Sequence, residues 1–557
     1  MKRFFLFLCL ILAYVNGFTQ NNEMIDVVVI MKSQYNRTEL CRKADFFATR
    51  AERRDYVVKE LKTFTEASQY ELKGILGELE QQGLVSSVQS LWSANTLYFK
   101  ATASVMASLS ERDDIAYIGP MKRYSLIPEA GSPTTAPDSR EITPNITQVN
   151  ADQVWALGYT GAGVVVGVVD SGVNYNHLDL ADHLWDGGSA FPHHGYDIVN
   201  GDDDPMDDKG HGTHVAGIVC GDGTSGTQTG IAPDATLMCV KTTAADGFGG
   251  AVNIAGGMEW AVEHGCDLIN LSQGMAGAGV ADKEIFRRTC TAILDAGIVA
   301  LVCAGNEGNA FLQMAYPIPN NVRVPASCPP PYLDPDQLVN PGALSCVVAV
   351  GAVNYDDAAA DFTSQGPVTW QDTDFGDYAY DPGIGLIRPD VCAPGVNIKS
   401  LDYENTSGYT FMDGTSQATP CVAGIVALML QKNPELTPTQ ICQILEETSV
   451  KLTPNKSNVT GVGRVDALAA VNAVTAWDAI VEAPTDQVRI FPNPSTKDFT
   501  IECKGMHQIE VFRMDGRLVK RIQTASPVQQ LEGLPNGTYL IKITTNEGVI
   551  VKKAVRL

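Results

Sequence analysis

Apolar and polar positions change their rhythm three times along this chain. Up to residue 127 the apolar runs are short and set among charges. Ile25 to Met31 predicts a strand, Thr38 to Gly83 a long charged helix and Thr96 to Ala103 an alternating strand. Ser104 to Glu111 predicts a short helix, and Ala116 to Ile118 closes a small α+β unit. From about Gln148 to Ala476, wholly apolar runs such as Val164 to Val169 alternate with helical stretches and glycine turns, as a parallel sheet buried on both faces requires. Glu435 to Ser449 and Asp466 to Ala476 predict the closing helices. Alternating runs then return at Phe499 to Glu502, Ile509 to Phe512 and Thr538 to Thr544, with a turn signal at Asp515-Gly516, and predict a small β-sandwich. Pro128 to Pro144, rich in Pro, Ser and Thr, and Trp477 to Gln487 read as linkers, the first open to proteolysis. The expected fold class is α/β: a parallel sheet with helices on both faces, plus a small α+β domain and a C-terminal β-sandwich.

The chain's beginning and its charge narrow its setting. Lys2 and Arg3 precede the apolar stretch Phe4 to Val15, followed by small and polar residues around Gly17, which reads as a secretory signal peptide over residues 1–20. No later run approaches the ~20 apolar residues that span a bilayer, so no transmembrane segment is expected. A net charge of −24 repels phosphate backbones and acidic membrane surfaces, which argues against nucleic acid as a partner. Among 13 cysteines, Cys239, Cys303 and Cys421 sit in apolar runs and read as small hydrophobes. Cys328 and Cys346 bracket a Pro-rich loop and are the pair expected to bridge.

Chemistry enters with Ser416. It lies in DGTSQATP, Asp413 to Pro420, at the start of the apolar run Cys421 to Leu430, where a helix gathers unpaired N–H groups and its positive dipole end. Taken alone, such a serine reads as a helix cap. A serine hydroxyl becomes a nucleophile only beside a base and an orienting carboxylate. Asp170 ends the run VVVGVV, and functional groups gather at the carboxyl ends of strands in open α/β sheets; alone, it reads equally well as a turn cap. His211 lies in KGHGTHVAGIVCG, with His214 one turn later as the structural histidine. His193 and His194 lack a spaced carboxylate or cysteine partner and read as a solvated loop, so no metal ligand is assigned.

The segments VVDSGV, GHGTHVAG and GTSQATP, in that order, resemble the three signature segments of the subtilase family, and AGNEG at Ala304 to Gly308 is similar to its oxyanion segment. The resemblance covers roughly Gln148 to Ala476. It implies a subtilisin-like fold in which Asp170, His211 and Ser416 form the catalytic triad and Asn306, with the Ser416 N–H, stabilises an oxyanion. It also implies that Ser272, Gln273 and Gly274, after the strand DLINLS, pair with an extended substrate, and that small Ala304 and Gly305 leave room for a bulky side chain before the scissile bond. Gln417, Gln273 and Met275 depart from the family pattern and bear on subsite preference.

No cofactor is required for such chemistry. Asp179 matches a carboxylate of the family's tight calcium site, but Thr224 stands where asparagine is usual, so structural calcium stays open and unassigned. The run DDDPMDD, Asp202 to Asp208, reads as a solvated acidic turn. VRIFPNPS from Val488, LPNGTYLIKI from Leu534 and the final KKAVRL resemble the C-terminal sorting domain of type IX secretion cargo.

The expected organisation is a signal peptide at 1–20, an inhibitor-like propeptide at 21–127, a linker at 128–147, the catalytic domain at 148–476, a linker at 477–487 and the sorting domain at 488–557. The expected function is a secreted or cell-surface serine endopeptidase acting through an acyl-enzyme on Ser416. Its partners are protein or peptide substrates, its own propeptide and the type IX machinery. Two alternatives stand beside it: a non-catalytic surface-binding protein on the same scaffold, and an esterase, although the G-x-S-x-G elbow is absent at Ser416.

Overall fold

The computed structural model describes residues 23–45, 47, 49–127, 134–135, 140–330, 347–370, 385–475, 488–513, 517–524, 526–545 and 548–557, with 548–551 by backbone alone. The expected signal peptide, the linker Trp477 to Gln487, Cys346 and the turn Asp515-Gly516 lie outside these residues.

Strands made almost wholly of Val, Ala, Leu and Ile can be satisfied only with both faces covered, and they assemble here into one large sheet. Its order is Val450–Lys451, Gly463–Arg464, Val391–Pro394, Val348–Val353, Val299–Cys303, Leu268–Leu271, Val165–Asp170, Thr236–Lys241 and Gly195–Asp197. Every pairing is parallel except that of the edge strand Val450–Lys451. Alternate residues feed two cores. Val166, Val168, Leu237, Leu268 and Leu301 pack with the helices His211–Cys220 and Thr415–Lys432 on one face. Val169, Val240, Ile269, Leu271 and Val302 pack with Ala251–Glu263 and Val280–Asp295 on the other. The helix from Thr415 is buried from Thr415 to Leu430, as its apolar circumference demands. Parallel strands bring Asp170, Ser272 and Ala304 out at one sheet edge.

The N-terminal unit is a four-stranded antiparallel sheet, Val85–Leu91, Thr96–Ala101, Ile25–Met31 and Ile115–Pro120 in that order. The single helix expected over Thr38 to Gly83 is two, Arg37–Ala44 and Arg50–Gln81. The second starts afresh at a capping box: Glu52 N–H donates to Thr49 Oγ at 3.2 Å, and Thr49 N–H donates to the Glu52 carboxylate at 3.2 Å. This unit docks on the outer face of Ala251–Glu263 and Val280–Asp295. The buried Glu259 carboxylate accepts from Trp92 N–H (3.1 Å), Ser93 N–H (2.7 Å) and the Ser93 hydroxyl. Arg37 pairs with Asp295 (2.6 Å), and Arg50 with Asp267 (2.6 Å).

Parts of the expected linker 128–147 are ordered into the large domain. Thr134–Thr135 adds antiparallel to Tyr409–Met412, and Pro144–Gln148 forms a short helix. The tail is a three-stranded and a four-stranded antiparallel sheet around Phe499, Ile501, Ile509, Val511, Tyr539 and Ile541. Among the described residues, no helix is long and apolar enough to cross a membrane.

Candidate active site

Asp170 ends its strand fully buried, with one carboxylate oxygen accepting the Ser171 N–H at 2.7 Å. His211 Nδ1 lies 2.7 Å from that same Oδ1. A carboxylate oxygen can only accept, so Nδ1 carries the proton and Nε2 the lone pair. The close approach depends on glycine: a Cβ on Gly212 would collide with the Gly172 carbonyl and lie 3.1 Å from Asp170 Cβ.

Asp207 fixes the start of the His211 helix, and the sequence reading missed it. Its Oδ1 accepts from Ser171 Oγ (2.9 Å), Lys209 N–H (3.0 Å) and Gly210 N–H (2.9 Å), and its Oδ2 from Thr213 N–H (2.9 Å) and Thr213 Oγ (2.6 Å). Burial pushes its carboxyl above the usual range, against the pull of these donors. The run DDDPMDD is therefore not a solvated turn throughout, since Asp208 also pairs with Lys241 at 2.6 Å. The available signal was an aspartate within capping reach of a helix opening HGT. His214 is buried, with Nε2 3.1 Å from Ile398 O and 3.2 Å from Thr410 O, and burial pushes its pKa down to about 3. It is the neutral structural histidine that the sequence suggested.

Ser416 stands in the first turn of its helix, after Gly414 at φ +151°. A Cβ on Gly414 would lie 2.7 Å from Gln417 Oε1 and 3.1 Å from Asn306 Nδ2. The Ser416 hydroxyl donates to Ser272 O, and the Ser272 hydroxyl to Ser416 O, both at 2.8 Å. Buried His211 Nε2 has no hydrogen-bond partner among the described residues. Asn306 Oδ1 accepts from Thr415 N–H (3.0 Å) and Thr415 Oγ (2.9 Å), which aims the amide nitrogen at the turn before Ser416. Thr415, whose hydroxyl also accepts the Gly305 N–H at 3.1 Å, is a second residue that the motif reading passed over.

The groove beside these groups is filled by the chain itself. Tyr124–Ser125 pairs antiparallel with Phe248–Gly249, Leu126 N–H donates to Gly247 O at 3.1 Å, and Gly274 N–H donates to Leu126 O at 2.8 Å. The Tyr124 hydroxyl reaches Asp282 at 2.6 Å. Gln273 turns its side chain inward, accepting from Thr243 Oγ (2.6 Å) and donating to Val169 O (2.9 Å). Gly305, at φ +112°, has no space for a side chain of its own: a Cβ there would lie 2.5 Å from Glu307, 2.8 Å from Ser364 Oγ and 2.9 Å from Arg323 Cγ.

The Asp179 carboxylate accepts the Ser225 N–H at 2.5 Å and the Tyr409 hydroxyl at 2.8 Å. Among the described residues one group of three could hold an ion, Asp182, His183 and Asp222. There the Asp222 carboxylate already accepts from Thr224 N–H (2.8 Å) and Oγ (2.6 Å).

Residues 161–464 match the Subtilase family, and residues 489–556 match the secretion system C-terminal sorting domain. Subtilisin DY of Bacillus licheniformis is 34% identical over 308 residues, which are 55% of this chain and 91% of that protein. Serine protease AprX of Bacillus subtilis (strain 168) is 33% identical over 338 residues, 55% of this chain and 66% of that one. Bacillopeptidase F of the same strain is 29% identical over 467 residues, 78% of this chain but 30% of its own length. The chain thus spans under two thirds of the latter two. A solved cold adapted subtilisin-like serine proteinase is 26% identical at a TM-score of 0.41, covering 56% of this chain and 90% of its own.

Proposed function

The chain belongs to the subtilase family and carries a type IX sorting domain, and from that premise we propose that it is a secreted serine endopeptidase acting through an acyl-enzyme on Ser416. The Ser416 hydroxyl leaves Ser272 O and gives its proton to His211 Nε2 as it attacks the peptide carbonyl. Asp170 holds the ring and stabilises the imidazolium. The Asn306 amide and the Ser416 N–H meet the developing oxyanion. His211 then protonates the leaving amine, and water repeats the sequence on the ester. No cofactor is needed at any step.

The observation that carries the reading is the peptide in the groove. Tyr124 to Leu126 is held by main-chain bonds as an added strand, the way a protease binds an extended substrate. An esterase for small acyl groups has no use for such a cleft. A purely binding scaffold, in turn, has no need of His211 Nδ1 held 2.7 Å from a buried carboxylate with Nε2 left as the lone-pair nitrogen. Residues 21–127 act as the propeptide, blocking the site until the segment between 128 and 147 is cut.

Replacing Ser416→Ala should lower kcat by about 10⁶-fold. It should also abolish labelling by a serine-directed phosphonate. Undiminished labelling of that variant would exclude Ser416 as the nucleophile.

A further inference from the structure

We propose that the short helix Ala310–Ala315 is an exosite: a surface outside the cleft that docks apolar side chains of an unfolded polypeptide substrate. This rests on the peptidase reading and deepens it. From Asn309 to Val322 the sequence NAFLQMAYPIPNNV carries no charged side chain, in a chain whose net charge is −24. The helix within it buries none of its six residues. Phe311 and Met314, one turn apart and so on one face, are 75% and 76% exposed, and Ile318 just beyond the helix is 46% exposed. Large apolar side chains grouped on a surface in this way mark a place where another chain binds.

A free six-residue helix does not persist in water, so this one depends on its ties. Asn309 Oδ1 accepts from Phe311 N–H (3.1 Å) and Leu312 N–H (2.9 Å), and Gln313 Nε2 donates to Gly308 O at 2.7 Å. Buried Asn321 closes the far end, donating to Glu307 O (2.7 Å) and Tyr316 O (2.9 Å). Glu307 and Gly308 follow directly on Asn306, so the helix is fixed to one wall of the site. Its other end meets the second wall: a Cβ on Gly277 would lie 3.3 Å from Tyr316 Cε1. Two residues further on, Gly279 N–H donates to the hydroxyl of Tyr124, from the segment that fills the groove, at 3.4 Å. The apolar face is thus continuous with the peptide groove, and the occupant that reaches both is a single polypeptide. What the face offers is the removal of apolar surface from water, which an unfolded chain supplies and a folded one keeps inside.

The test uses the processed, secreted enzyme, a short peptide anilide that fits the cleft alone, and two unfolded polypeptides that carry one cleavable sequence between long tails. The tails are rich in Leu and Phe in one polypeptide and in Gln and Ser in the other. With the wild type, the Leu/Phe tails should lower KM by about tenfold relative to the Gln/Ser tails, with kcat little changed. Phe311→Ser combined with Met314→Ser, both at exposed positions, should abolish that difference and leave kcat/KM for the anilide as in the wild type. Fluorescence anisotropy of the two polypeptides on the Ser416→Ala enzyme should show the same tenfold preference without turnover. Equal KM and equal anisotropy for the two tails overturn the exosite and leave the peptidase reading intact, as does a double variant that keeps the preference. A wild type that sediments as a dimer, with a monomeric double variant and no preference between tails, overturns it too and assigns the face to a second copy. A wild type that neither cleaves the anilide nor takes the phosphonate overturns the peptidase reading, while the anisotropy still decides whether the face docks an apolar chain.

Discussion

A buried carboxylate surrounded by five donors behaves as part of the backbone. Asp207 gathers the N–H groups of Lys209, Gly210 and Thr213 and the hydroxyls of Ser171 and Thr213, and so ties the turn after Asp170 to the helix that carries His211. Asp207→Ala strands these donors in a buried site and should cost about 3 kcal/mol or more in chemical denaturation. It should lower kcat more than it raises KM, because His211, the proposed base, loses its bearing on Asp170 while the groove stays intact. Asp207 and Arg323 also mark where residue-level reading stops. Asp170, His211, Ser416 and Asn306 stand out in the sequence because short motifs flank them. Arg323 lies in NVRVPASC, a segment with no chemical pattern, and acquires its contacts only when Ala304, Gly274 and Glu307 fold around it.

At the scale of elements, the apolar strands were legible from their runs, since burial on both faces leaves one composition to choose from. Val85–Leu91, VSSVQSL, was not, because polar residues fill the positions that its face leaves exposed and its pairing with Thr96–Ala101 shifts register between Ser86 and Gln89. The helix break at Thr49 was hidden for a different reason: a capping box is built from residues equally at home inside a charged helix.

The contact between the N-terminal unit and the helix Ala251–Glu263 has a pH dependence of definite sign. Burial pushes Glu259 up from 4.5 to about 8 while it is docked on Trp92 and Ser93. Released into water, it returns to the ordinary carboxylate range. The docked state therefore binds more protons, so docking is strongest below pH 4.5 and weakens as pH rises through about 8. Asp282 against Tyr124 and Asp295 against Arg37 are also raised by burial and carry the same sign. Titrating residues 21–127 onto the Ser416→Ala catalytic domain should give a dissociation constant that grows from pH 5 to 8.5. Glu259→Gln should flatten most of that slope.

On the scale of the whole molecule, each part has its own core. The tail closes around Phe499, Ile509 and Tyr539, while the large sheet closes around helices on its two faces. Removing residues 488–557 should leave the thermal transition of the catalytic domain unchanged and hold the protein inside the cell envelope. Cell fractionation with a melting curve on the retained protein checks both halves. A shifted transition would show that the tail supports the fold as well as its export.

The strand that Tyr124 and Ser125 add beside Phe248 belongs to the same molecule as the site it covers. As long as the backbone is continuous, the segment faces its cleft at an effective concentration of about millimolar, whatever the number of molecules present. One cut turns that contact into an encounter between two solutes, governed by dilution. Under the proposed function, the same hydrogen bonds that fill the cleft in the crowded envelope would then loosen in the open medium, and the moment of activation would become a matter of volume.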